Sequence, residues 1–443
     1  MELRDFIVTP IVIILVYWVA YMVRPHVTDG VNKKYFFPAL TFKISGAIAL
    51  GLLYQFYYDG GDTYNFHTIG SRLIWEAFWE SPDKGFDLLL SRGDYLTETY
   101  SYASKIYFYQ DQSSFFVIRI ATLFDLLTFS SYSGTAVFFA LFSFVGSWAF
   151  FTAMYRQAPQ LHFQTALAIL FIPSVIFWGS GLLKDTVTFS CLGLMTYSIS
   201  NIFIRRHQKT GSIILLLLSA WIIFSVKKYI LLCFLPAALL WIYADRLSKI
   251  RSIILKALII PIIAILLVGT GYYSIILIGM DDPRYSLDKI AMTAQITAYD
   301  IGFYSGKDAG SGYSLGELDG TFTNMISKAP QAINVSLFRP YLWEIRNPLM
   351  FFSAVESFFF LGLTLYAIAK SRSNIFSAMA NPVVVFCFVF SLTFAFAVGV
   401  STFNFGTLSR YKIPLLPFYA LGIIYLLNYS NKDKKFFSLE VTE

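Results

Sequence analysis

The chain has 443 residues, of which 56% are hydrophobic and only 14% charged, and its mean hydropathy is +0.60. Soluble domains carry about 25% charged residues, so these figures exclude a soluble globular protein and predict an all-α integral membrane protein. The net charge of +7 then reads as Lys and Arg held at cytoplasmic loop ends, not as a nucleic-acid surface.

About eleven spans are predicted in one polytopic domain. They are Phe6–Val23, Phe36–Tyr57, Gly134–Tyr155, Phe163–Trp178, Val187–Ile204, Ser212–Val226, Tyr229–Ala244, Ile253–Ile278, Met350–Ala369, Pro382–Val400 and Ile413–Leu427. Several are shorter than the ~20 residues a straight crossing needs, so their ends are wetted or packed inside the protein. The first run has no small-residue cleavage site after it and reads as an anchor. Cys191, Cys233 and Cys387 all fall inside apolar runs and read as buried thiols.

One set of loop ends carries most of the cations: Arg24, Lys33 and Lys34; Arg156; Arg205, Arg206 and Lys209; Arg246, Lys249, Arg251 and Lys256; Lys370 and Arg372; Lys432, Lys434 and Lys435. The positive-inside rule places these, and the C-terminus, in the cytoplasm. An odd number of spans then puts the N-terminus outside. Two long loops, about 58–133 and 279–349, fall on the outer face. Five cations remain there on short hairpins: Lys184, Lys227, Lys228, Arg410 and Lys412. Several cations at one outer level suit a bound lipid-linked phosphate, although snorkelling to headgroups accounts for any single one.

The first outer loop opens with YDGGDTYNFHTIGSR, residues 58–72. Asp59 and Asp62 flank a Gly60-Gly61 turn. Phe66, Ile69, Leu73 and Ala77 then recur at helical spacing, so Asp62 begins a helix lying along the membrane surface, either capping it or acting as a base. Further on, Ser113-Ser114 are candidates to cap a second interfacial helix, FFVIRIATLFDLLTF, whose charges are Arg119 and Asp125. The hairpin PSVIFWGSGLLKDT places Lys184 and Asp185 at an outer tip. There Asp185 either caps the fifth span or lines the cavity of Asp62 with Lys184.

The second outer loop contains a Gly- and Ser-rich stretch, YSGKDAGSGYSLGELDG, and ends in LFRPYLWEIRNPL. Arg339 and Arg346 suit a phosphate, and Trp343 beside Glu344 suits a sugar ring, with an aromatic membrane belt as the competing account. Glu356 lies about two turns into the ninth span, where Lys43 is a possible neutralising partner. In SRYKIPLLP, Pro414 and Pro417 fix the backbone beside Arg410 and Lys412.

No phosphate loop, HExxH, CxxC or GxSxG motif is present. Of the four histidines only His67 is predicted outside, which argues against a multi-histidine metal site while leaving a divalent ion possible. Carboxylates, cations and aromatics at one membrane level suit glycosyl transfer from a lipid-phosphate donor. A carboxylate can deprotonate an acceptor hydroxyl, cations can stabilise the leaving phosphate, and aromatic rings can stack on sugars.

The layout resembles the bacterial membrane-embedded GT-C glycosyltransferases, which use polyprenyl-linked sugars on the outer face. In that family an acidic residue in the first outer loop is the usual catalytic candidate. Asp59 and Asp62 in YYDGGDTYNFH occupy that place, with Asp185 as a third candidate. The terminal RYKIPLLP, Arg410–Pro417, is similar to a motif of several such proteins. Together with the residue reading above, this gives a candidate donor site drawing on His67, Lys184, Arg339, Trp343, Glu344, Arg346, Arg410 and Lys412. The resemblance also implies a glycan or lipid acceptor and a bacterial inner-membrane location among membrane lipids. The 279–349 loop with FRPYLWE also resembles the O-antigen polymerase and ligase group, in which an arginine-led mechanism would demote Asp62. A transporter or flippase of a lipid-linked saccharide is the alternative of a different class, drawing on Glu356 and Lys43. A non-catalytic assembly subunit is a third.

Overall fold

The computed structural model describes residues 2–207, 209–250, 269–306, 310–372, 375–379 and 381–428. The described residues are helical, with no β-strand among them and one isolated bridge between Gly312 and Asn404. Eight helices are long and apolar enough to cross a membrane, or nine if one bent pair counts as a span. This is a multi-pass all-α architecture. The predicted span Ile253–Ile278 lies outside the described residues as far as 268, as do Arg251, Lys256, residues 307–309 of the Gly-rich stretch, and Lys432, Lys434 and Lys435.

The chain divides into two compact units. The first comprises Met1–Ala153, Leu170–Ser198 and Thr210–Lys227. It contains α1 (Leu3–Val27), α2 (Lys33–Phe56), α3 (Asp62–Phe66), α4 (Arg72–Glu80), α5 (Pro82–Leu90), α6 (Tyr100–Ala103), α7 (Gln112–Thr128) and α8 (Tyr132–Tyr155). After α9 (His162–Leu170), which belongs largely to the other unit, come α10 (Pro173–Trp178), α11 (Lys184–Ile199) and α12 (Lys209–Val226). The interior is built on α8 and α11. The most apolar window of the span that begins with α11 is 78% buried, against 22% for α1, whose exposed Phe6, Ile7, Ile11 and Trp18 suit hydrocarbon. Small residues let α8 and α11 approach: a Cβ on Gly146 would meet the Ser190 backbone, and one on Gly193 would meet the Gly146 carbonyl.

The predicted fourth span is two short helices, α9 and α10, interrupted at Phe171 and Ile172. Pro173 is the cause. It has no N–H to donate and disfavours helical geometry in the residue before it. It stands instead in the first turn of α10, where neither defect matters.

The second unit comprises Met154–Ile169, Ile199–Lys209 and Lys228–Glu443. It contains α13 (Lys228–Lys249), α14 (269–281), α15 (Ile290–Gly306), α16 (Phe322–Ser327), α17 (Ala329–Phe338), α18 (Pro348–Ser371), α19 (Ile375–Ala378), α20 (Pro382–Val400), α21 (Phe405–Tyr411) and α22 (Leu415–Asn428). At its centre α20 packs on α13, α17 and α22. Aromatic rings fill that seam: Trp241 stacks on Phe386 at 4.6 Å, and Phe418 meets Phe390 at 4.6 Å. The predicted last span begins at a 66° bend between α21 and α22.

Candidate functional site

In the first unit, one end gathers the starts of several helices. Asp5, near the start of α1, accepts hydrogen bonds from the Ser131 hydroxyl at 2.8 Å and the Ser133 backbone at 3.2 Å, at the start of α8. Helix α7 crosses this end. Its first turn touches Lys184 at the start of α11, and just past its last turn Arg4 of α1 donates to the Phe129 and Ser130 carbonyls. Seventeen residues make a helix about 25 Å long, so α7 lies across the span ends and not along them.

Asp62 is set on this end by its neighbours. The backbone runs through three consecutive positive φ angles at Asp59 (52°), Gly60 (123°) and Gly61 (113°). Only glycine takes the last two without strain, and a Cβ at Gly61 would also crowd the Tyr54 ring at 3.0 Å. Gly61 is the N-cap of α3 and Asp62 its first residue, so Asp62 is not the cap that its position in the sequence suggests. The next residues pin the turn. Thr63 shares a 2.7 Å hydrogen bond with the Tyr132 hydroxyl, and Tyr64 stacks on the Tyr132 ring at 4.4 Å. Burial, with the Asp5 charge, pushes the Tyr64 hydroxyl up to about 12.

The helix that follows is broken by a π turn at His67–Ser71. His67 is fully buried, 3.3 Å from the equally buried Asp125 of α7 and edge-on to Tyr132. Ser71 donates to Asp125 at 2.6 Å, and Thr135 donates to its other oxygen. His67 is therefore enclosed by protein and does not reach a surface where a donor could touch it.

Lys184 donates to Asp111 at 3.2 Å and to the Ser113 hydroxyl at 2.7 Å. It also lies close enough to Asp62 and Lys227 for their charges to act on it, the first attracting and the second repelling. Asp111, not Ser113 or Ser114, is the N-cap of α7. Its carboxylate accepts from the Ser113 backbone and from both serine hydroxyls. Burial works against its charge, but Lys184 and these hydroxyls hold it down at about 2. Asp185 is turned inward and is ion-paired with Lys227, the two side chains being 1% and 9% exposed. It lies in the first turn of α11 and does not open to the surface. Asp59 is exposed.

The second unit holds the other predicted residues. Arg339 grips Glu344 with two nitrogens and lies 5.2 Å from the Phe405 ring. Burial opposes the Glu344 charge, yet Arg339 and the Tyr341 N–H hold its carboxyl below the usual range. Trp343 is 80% exposed and stacks on Tyr341 at 4.7 Å. Arg346 is exposed, and its stem passes Gly310. Arg410, half-buried in the last turn of α21, lies 5.4 Å from the Tyr411 ring. Lys412 is buried and donates to the Ser357 hydroxyl at 3.1 Å, which in turn donates to the Arg339 carbonyl at 3.0 Å. The charge acting on Lys412 is Glu356. Lys43 belongs to the first unit, where it donates to the Val175 and Gly179 carbonyls at 3.1 and 3.3 Å.

The first unit thus holds Asp62, Lys184, Asp185 and Lys227, the last read from the sequence as one of five outer cations, together with two residues the sequence did not single out as site residues, Asp111 and Asp125. Asp111 alone carried a usable signal, an Asp two and three residues ahead of a serine pair at a helix start. Among the described residues, no three His, Cys, Asp or Glu side chains converge as a metal-ligand group. No family model, curated protein or solved structure matches the chain.

Proposed function

We propose that the protein is a glycosyltransferase of the bacterial cytoplasmic membrane. It moves a sugar or oligosaccharide from a polyprenyl-phosphate-linked donor to a cell-envelope glycan on the outer face. The observation that carries this reading is the position of Lys184, bonded to Asp111 and Ser113 and within range of the Asp62 charge, at the end of the first unit where α1, α8 and α11 begin. A carboxylate beside an ammonium at the edge of an apolar bundle suits a lipid phosphate whose bond to a sugar is to be broken.

The roles follow from charge. The Asp62 carboxylate takes the proton of an acceptor hydroxyl as the acceptor oxygen bonds to the anomeric carbon. The bond from that carbon to the phosphate oxygen breaks, its electron pair leaves with the phosphate, and Lys184 meets the growing negative charge. Exposed Asp59 is the rival base. The resemblance to GT-C enzymes supports the same assignment. The polymerase or ligase reading needs arginines free for the donor's phosphates. Arg339 is held by Glu344, as Lys184 is by Asp111, while Arg346 is exposed.

The test is transfer by purified protein in detergent, supplied with a polyprenyl-linked sugar and a glycan acceptor. Wild type forms product, and Asp62→Asn lowers the rate at least 100-fold with unchanged folding. Full activity in Asp62→Asn removes Asp62 as base. Movement of the donor that requires sealed vesicles, with no product in detergent, favours a flippase instead, in which the Lys412 and Glu356 charges would take part.

A further inference from the structure

We infer that the stacked Tyr341 and Trp343 rings of the second unit form a platform for a sugar ring of the acceptor glycan, and that Arg339 and Glu344 hold this platform in place as positioning residues. The inference rests on the proposed use of a glycan acceptor and is independent of the roles given to Asp62 and Lys184.

Three observations carry it. First, Trp343 presents an open ring face. It is 80% exposed, and Tyr341 backs it at 4.7 Å with an interplanar angle of 23°. Backing on one side leaves the other side for a ligand, and the indole N–H makes no hydrogen bond among the described residues. A pyranose offers an apolar C–H face that suits the ring and hydroxyls that suit the N–H. Second, the pair is fixed before any ligand arrives. The Tyr341 N–H donates to the Glu344 carboxylate at 2.8 Å, and the Arg339 Nε holds that carboxylate at 3.0 Å. The Tyr341 hydroxyl accepts from the Asn334 amide of α17 at 3.0 Å and donates to its oxygen at 3.2 Å. Tyr341 is thus held at its backbone and at its far end, so little freedom is lost when a sugar binds. Third, the bonding differs from that of a membrane belt. A belt tyrosine turns its hydroxyl to headgroups, whereas this one turns it to α17. Charged groups also stand beside the rings: the Arg339 guanidinium lies 5.8 Å from the centre of the Tyr341 ring, and Arg346, three residues beyond Trp343, is exposed. A flat apolar face with charged hydrogen-bonding groups close by matches a saccharide, whose hydroxyls need partners, better than hydrocarbon, which offers none.

The test is saturation-transfer NMR titration of the full-length protein in detergent with chitotetraose, cellotetraose and mannotetraose, comparing wild type with Trp343→Phe, Trp343→Leu and Arg339→Gln. Wild type should bind at least one of the three. Trp343→Phe keeps a ring and should weaken that binding by no more than about threefold, whereas Trp343→Leu keeps apolarity without a ring face and should weaken it at least about tenfold. Trp343 is exposed, so an unchanged melting temperature accompanies the loss. Arg339→Gln should weaken saccharide binding about threefold by loosening the platform and leave farnesyl phosphate binding as it was. Loss of farnesyl phosphate binding in that variant makes Arg339 a phosphate ligand and overturns its positioning role. Equal saccharide binding by wild type and Trp343→Leu overturns the platform, as does the absence of binding to all three saccharides. Quenching by brominated lipids of the fluorescence that Trp343→Phe removes, with saccharide binding unaltered in Trp343→Leu, identifies a bilayer anchor and overturns it too. If wild type transfers sugar and Trp343→Leu leaves the apparent KM for the acceptor unchanged, the inference falls while the transferase reading stands. If saccharide binding depends on Trp343 and no transfer occurs, the platform stands while the transferase reading falls.

Discussion

His67 and Asp125 face each other at 3.3 Å with neither side chain reaching solvent. Asp125 is the hub of that contact, because it also accepts from Ser71 at 2.6 Å and from Thr135. Three elements meet on one carboxylate: the π turn that follows Asp62, the far end of α7, and the first turn of α8. A π turn inside a helix often accompanies a functional site. Here it rotates Ser71 and His67 onto Asp125 and so fixes the bearing of the α3 start.

Asp125→Ala should accordingly destabilise the protein by about 3 kcal/mol, since it leaves the two buried hydroxyls of Ser71 and Thr135 without their acceptor and opens a space beside His67. Asp125→Asn should cost less, because it keeps one acceptor oxygen. Thermal unfolding in detergent checks the order. Equal melting temperatures for wild type and the Ala variant would show that the hub does not hold the fold.

The buried pair of Asp185 and Lys227 calls for a double-mutant comparison. Removing one partner leaves an uncompensated buried charge, so Lys227→Met and Asp185→Leu should each cost about 3–5 kcal/mol. The two changes together should recover much of that loss, since apolar side chains of similar size replace a desolvated pair. Heating followed by size-exclusion chromatography reads this, and strictly additive losses would contradict it.

Asp111 predicts an acid limb. Lys184 and the serine hydroxyls hold its carboxyl down at about 2 in the folded protein, below its ordinary 3.8. The folded value is the lower one, so this group stabilises the fold fully above about pH 4, and the contribution disappears as pH falls towards 2. Asp111→Asn should lose less stability than wild type across that window. Parallel acid unfolding curves would mean that Asp111 is not held by Lys184 in solution.

Gly146 predicts a steric limit. A methyl group there runs into the Ser190 backbone, where α8 and α11 touch. Gly146→Ala should lower stability by about 1–3 kcal/mol through forced separation of two central helices. Gly211→Ala is the control, because nothing lies within 4 Å of its Cβ position. If both variants melt alike, the close approach of α8 and α11 is not as tight as described.

Much of the architecture was legible from one-dimensional signals. Apolar runs of spanning length located α1, α2, α8, α12, α13, α18 and α20, because hydrocarbon demands length and apolarity from each helix separately. Charged hairpins pointed to Lys184 and Asp185, and the Gly60-Gly61 turn pointed to Asp62. The break before α10 was signalled by Pro173, but an apolar run on both sides of it concealed the interruption.

Partnership was not legible. Lys184 meets Asp111 across 73 positions of sequence, His67 meets Asp125 across 58, and Lys227 meets Asp185 across 42. Nothing in local spacing can choose these partners, because the first two contacts depend on how α7 lies across the helix ends and the third on how the end of α12 meets the start of α11. The sequence by itself determined that these helices span, and that a glycine pair turns the chain at Asp62, since both follow from each residue's own solvation and backbone freedom. Only the tertiary structure decided which carboxylates are spent on lysines, which are buried and which are open to solvent, because a charge's chemistry depends on its neighbours in space.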